Sequence, residues 1–165
     1  NNLWIFQFER SPMPIRVRTA LAARIARIDH QRYNEAVADD LYPCAPLTMK
    51  GSSRIFDSDD LLGLFIYGRL TTMGLPPRHA GRLACEAKGT LERNSEEERI
   101  VYVRSEADLH AMIPGSQYDP DHEKKGRGYR GLGRIVFTIE FYVDTIRDII
   151  AKAIEDEQSI LGEED

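Results

Sequence analysis

The chain changes its period at Arg99, and that change limits what it can fold into. Before it, apolar residues recur at helical spacing, and Pro, Gly and Asp mark helix ends. After it, RIVYVRS and GRIVFTIEFYV are short and β-branched, as strands are. The tail returns to helical spacing: Val143, Ile146, Ile149, Ile150, Ala153, Ile154 and Ile160 form one apolar face over Val143–Leu161. The pattern predicts an α+β protein, mostly α, without internal repeats.

In the front half, TALAARIARI over Thr19–Ile28 predicts a short helix with Leu21, Ile25 and Ile28 on one side. Asp29 is a good N-cap for the next segment, HQRYNEAVADDLY, whose Tyr33, Val37 and Leu41 form a stripe for burial. Two short helices joined by a tight turn make a helix-turn-helix candidate. PCAPLTMKGSSR, with its prolines, glycine and serines, reads as a loop or short hairpin. Asp57 or Ser58 then caps a longer helix that Gly74 and Pro76–Pro77 end. Another helix is expected over Pro77–Lys88, and the charged stretch from Gly89 to Glu98 reads as a linker.

Charge is unevenly spread. Residues 1–90 hold 12 Lys and Arg against 9 Asp and Glu, whereas 91–165 hold 10 against 18, so the net −5 comes from the back half. A basic front and acidic back fit a binding module followed by a spacer or assembly element, or two solvated surfaces. No run of eighteen apolar residues is present, so no membrane span is expected. Cys44 and Cys85 form no CxxC pair and read as two reduced thiols of a cytoplasmic protein. The four histidines are scattered, with no zinc-site spacing, and no cofactor is expected. Met13 opens a plausible native start; the residues before it read as an upstream extension, or LWIFQF as a strand.

Arg54–Leu70 reads RIFDSDDLLGLFIYGRL and carries an R-x-F-x-x-x-D-L element in Arg54, Phe56, Asp60 and Leu61. Leu64, Leu70, Gly74 and Leu75 follow it, and Ala23, Ile28–Asp29 and Leu41 precede it at matching places. Over roughly residues 15–90 this resembles the DNA-binding domain of MerR-type winged-helix regulators. In that family an Arg-x-aromatic element ends a wing and an Asp-apolar pair starts the next helix. The chain departs from the family in three ways. Arg27 stands where the turn usually has a small residue, and Asn34-Glu35-Ala36 replaces an Arg-Tyr-Tyr run. The back half also lacks the long coiled coil. The resemblance implies a winged helix-turn-helix domain followed here by a small β-hairpin plus a C-terminal helix. The boundaries expected are an extension or strand over 1–14, the DNA-binding domain over 15–90, a linker over 91–98 and a dimerisation or sensing region over 99–165.

A helix in the major groove reads base edges through a few side chains. Off the apolar stripe of the second helix lie His30, Gln31, Arg32 and Asn34, which suit bases; Glu35, Asp39 and Asp40 would oppose phosphates. In the wing, Thr48, Lys50, Ser52, Ser53 and Arg54 are placed for the backbone, with Arg16 and Arg18 adding charge. Arg54 could alternatively pair with Asp57 or Asp60, while Phe56 and Leu61 read as core. The Gly-rich loop with Lys124, Lys125, Arg127 and Arg130 is either an accessory nucleic-acid contact or a solvated hairpin tip. The apolar face of the last helix could pack on its own two-stranded sheet or on a second chain; a two-stranded hairpin is marginal alone, so Val143, Ile146, Ile150 and Ile154 are expected to dimerise. His79, His110, His122 and Asp59-Asp60 form no nucleophile–base pattern. The expectation is a cytoplasmic, non-enzymatic regulator binding double-stranded DNA as a homodimer, with any effector unknown. The rival is an adaptor or antitoxin-like protein-binding module on the same fold.

Overall fold

The computed structural model describes residues 14–121 and 131–162. The extension before residue 14, and Lys124, Lys125, Arg127 and Arg130 of the basic loop, lie outside them. The elements run in the order β1 (Val17–Arg18), α1 (Thr19–Ala26), α2 (His30–Ala38), β2 (Ile55–Phe56), α3 (Ser58–Thr72), α4 (Pro77–Arg93), β3 (Arg99–Ser105), β4 (His110–Pro114), β5 (Ile135–Tyr142) and α5 (Val143–Gly162). The fold is α+β and mostly helical, with two small antiparallel sheets. Among the described residues no helix is long and apolar enough to cross a membrane.

The centre is α3. Leu61, Leu62, Leu64, Phe65, Ile66, Tyr67 and Leu70 are all buried, so apolar residues surround the helix rather than striping one face. Such a helix has to be covered from several sides, and α1, α4 and α5 pack on it. Its start is fixed by a capping box: the Asp60 amide donates to the Asp57 carboxylate at 2.9 Å and the Asp57 amide to Asp60 at 3.0 Å. Gly68 permits the closest approach of α1, because a Cβ there would sit 2.6 Å from the Ala26 carbonyl oxygen.

The back half departs from a hairpin. β3 is the middle strand of three, with β4 on one side and β5 on the other. The β3–β4 turn places Asp108 at φ 61°, a conformation Asp tolerates better than most residues. The strand HAMIP escaped the sequence reading because only one of its five residues is β-branched or aromatic. Of the stretch from 91 to 98, only 94–98 connect α4 to β3. α4 continues to Arg93 and Leu91 is fully buried. One core joins the two halves, with Ile100, Tyr102, Phe141 and Val143 packed among residues of α1, α3 and α4.

That shared core takes up the residues expected to dimerise. Val143, Ile146 and Ile150 are buried in their own chain and Ile154 is partly buried on the same core. The apolar face of α5 covers α3, not a second copy; Arg24 of α1 bonds Glu157 at 3.0 Å and holds the far end of α5 down. The two cysteines are also corrected. Cys44 and Cys85, 41 positions apart in sequence, stand 5.5 Å apart at Cα and are joined as a disulfide.

Candidate nucleic-acid interface

Two short helices joined by a tight turn lie where the sequence predicts them. α1 ends at Arg27, which takes the left-handed conformation (φ 54°, ψ 46°) and donates its amide back to the carbonyls of Ala23 and Arg24. That conformation is normally left to Gly or Asn, so the turn holds a cation at some conformational cost. Asp29 then caps α2, its carboxylate accepting from the Arg32 amide at 2.8 Å. Tyr33 and Ala36 are buried against the core. His30, Gln31, Arg32 and Asn34 are exposed on the opposite side. Gln31 is partly engaged, donating to the Glu35 carboxylate at 3.1 Å. Glu35, Asp39 and Asp40 are exposed too, so this face carries both signs.

Beside it, β1 pairs with β2 through Val17↔Phe56 and Arg18↔Ile55. This pairing brings the exposed Arg16 and Arg18 next to the end of the wing. Phe56 is fully buried and packs 5.9 Å from the Tyr33 ring, which locks the wing's end to the second helix. Arg54 is half-buried near Tyr33; its Nε and the Tyr33 hydroxyl are both buried without a hydrogen-bond partner. Burial holds the Tyr33 phenol well above its ordinary range, with the Arg54 charge pulling the other way. Tyr33 is therefore a neutral donor. Arg54 makes no ion pair with Asp57 or Asp60. Asp60 instead bonds Lys88 at 2.6 Å on α4. Burial still pushes the Asp60 carboxyl up, against the hydrogen bonds from Lys88 and the Asp57 amide.

The loop between α2 and β2 carries the remaining expected contacts. Thr48 donates its hydroxyl to the Ser52 carbonyl at 2.7 Å, and the Ser52 amide donates to Met49 at 3.0 Å. Gly51 at φ 82° is the third residue of that turn, where a positive φ is required. Lys50, Ser52 and Ser53 are exposed on it. Around α1 and α2, Arg16, Arg18, Arg27, Arg32, Lys50 and Arg54 take no acid partner among the described residues. Arg27 is the member that sequence reasoning treated only as a departure from family pattern.

Among the described residues no group of three or more His, Cys, Asp or Glu side chains is placed to hold a metal ion. Comparison of the chain with protein-family models and with curated proteins finds no match.

Proposed function

We propose that the chain is a DNA-binding transcriptional regulator of the MerR-like winged-helix kind, with α2 in the major groove and the 43–56 wing on the phosphate backbone. The observation that carries the reading is the set of cations without acid partners around the helix-turn-helix, in a chain whose net charge is −5. Arg32 and Asn34 would read base edges, while Arg16, Arg18, Arg27 and Lys50 hold phosphates. Glu35 and Asp39 on the same helix oppose phosphate, so the wing and the N-terminal arginines supply most of the affinity. The protein is not an enzyme in this reading. It acts as a homodimer on two half-sites. With Val143, Ile146 and Ile150 inside the chain, the second copy would meet the outer side of α5, where Ile149 and Ile160 are exposed. The working place is the cytoplasm, where thiol pairs are mostly kept reduced, so binding is measured with the Cys44–Cys85 bond both formed and reduced.

The test is fluorescence anisotropy on the chain's own upstream DNA and on random duplex, over a salt series. The upstream DNA binds more tightly, and both affinities fall steeply with salt. Arg32→Ala loses discrimination, by about 1–3 kcal/mol. Lys50→Ala weakens both duplexes alike and lowers the salt slope by about 1. The protein-binding alternative rests on a specific feature: Leu47 and Met49 are 99% and 79% exposed at the wing tip. Absence of binding to either duplex at low salt turns the reading to that alternative.

A further inference from the structure

α4 and the outer sheet border a cleft with a volume of about 630 Å³. That is the size of a small-molecule site. One wall is apolar and aromatic. Tyr102 and Phe137 lie on neighbouring strands with ring centroids 6.4 Å apart, and Leu83 of α4 closes the floor. The pairing of β3 with β5 steps from Arg104↔Phe137 to Ser105↔Ile135, and the irregularity leaves Val136 over. A bulge re-aims side chains, and here Val136 and Phe137 both line the cleft while remaining 64% and 51% exposed.

The other wall carries two arginines and a histidine. His79 and Arg82 sit one turn apart on α4, both exposed, and take no hydrogen-bond or ion-pair partner among the described residues. Arg104 reaches only the Tyr102 hydroxyl and the exposed Asp108 carboxylate, each at 3.4 Å, a weak hold in solvent. Asp108 also lines the cleft and is exposed, while two other acids nearby are taken. Glu106 is bound by Arg134 at 2.7 Å, and Glu86 by His110 at 3.1 Å. The unspent donors in the cleft are therefore the Arg82 guanidinium and, in part, that of Arg104, beside the half-exposed Phe137 ring.

We propose that this cleft binds an organic anion, a flat apolar body bearing one carboxylate. The body lies on Phe137, which Tyr102 backs from the core, and the carboxylate is held by Arg82 with Arg104, since guanidinium groups grip carboxylates through paired hydrogen bonds. The site stands on these residues alone and does not depend on DNA binding.

Isothermal titration of the full chain with 2-naphthoate, without DNA, tests it. The expected result is saturable binding of one molecule per chain. 2-Naphthalenemethanol, the same body without charge, binds at least tenfold more weakly. Arg82→Ala lowers naphthoate affinity about tenfold with an unchanged melting temperature, and Phe137→Ala lowers the affinity of both compounds. Lack of saturable binding at millimolar naphthoate overturns the proposal. So does equal affinity for the alcohol on the wild-type chain, a comparison that needs no variant to fold. Undiminished binding by a folded Arg82→Ala protein overturns the role of that arginine and with it the proposal.

Discussion

The loop that follows α2 has a base and a tip, and they are built on opposite terms. At the base, Tyr42 is buried, edge-on to the rings of Tyr33 at 5.6 Å and Tyr67 at 5.1 Å. Cys44 is bonded to Cys85 of α4, and Lys88 donates to the Cys44 carbonyl at 3.3 Å. Gly81 of α4 has no room for a Cβ, because the Leu41 carbonyl oxygen would be 1.8 Å from it. Three residues beyond Cys44 the chain is free: Leu47 is almost wholly in solvent, and the tip is ordered by its own Thr48–Ser52 turn. A scaffold that fixes the root of a loop places the tip without freezing it, which is how binding loops are commonly carried. The base carries packing and the tip carries exposed side chains, so substitutions in the two should separate stability from the proposed binding.

Cutting the disulfide should have the largest effect. Its removal frees a segment of 41 residues in the unfolded chain, for which the chain-entropy argument gives about 4 kcal/mol. For a chain of this length that is about 12 °C in melting temperature. Calorimetry of Cys44→Ser, and of the wild type with and without dithiothreitol, checks it. Equal melting with and without reductant would remove the disulfide from the base and break the comparison at its strongest point.

Gly81→Ala should come next. Ala is favoured over Gly inside a helix by about 1 kcal/mol. Against that, the backbone of Leu41 or α4 must shift, and overpacking of this kind costs about 3 kcal/mol. The expected net loss is about 2 kcal/mol in a urea unfolding curve. A gain near 1 kcal/mol would mean that the base does not press on α4.

The base also shows which features sequence could carry and which it could not. Local chemistry was legible. Asp29, and Asp57 of the two caps expected for the next helix, accept from amides three residues away, and Phe56 and Leu61 are apolar at positions where a hinge needs anchors. Contacts between distant segments were not. Nothing near Cys44 announces Cys85, and nothing near Gly81 announces the Leu41 carbonyl. The apolar face of α5 was correctly placed, but periodicity says only that such a face is covered, not by what; α3, apolar all round, was the partner. Arg54 was ambiguous for the same reason. Its competitor for Asp60 is Lys88, 34 positions further along and visible only once α4 packs on α3. The cleft beside α4 was illegible because the pairing of β3 with β4 and β5 assembles it.

The smallest effect on stability should come from the tip, and there the two readings of function part. Leu47→Ser with Met49→Ser removes apolar groups that touch solvent, so unfolding should change by no more than about 0.5 kcal/mol. Lys50→Ala should be equally silent in unfolding, since Lys50 has no acid partner among the described residues. If the tip is a wing on the phosphate backbone, Lys50→Ala weakens DNA binding and the double serine variant does not, because phosphates are held by charge. If the tip is a protein-binding surface, the order reverses: exposed aliphatic and Met side chains supply the contact, and the lysine serves only at the rim. Anisotropy on duplex DNA at low salt therefore assigns the tip, using variants whose unfolding curves overlay the wild type.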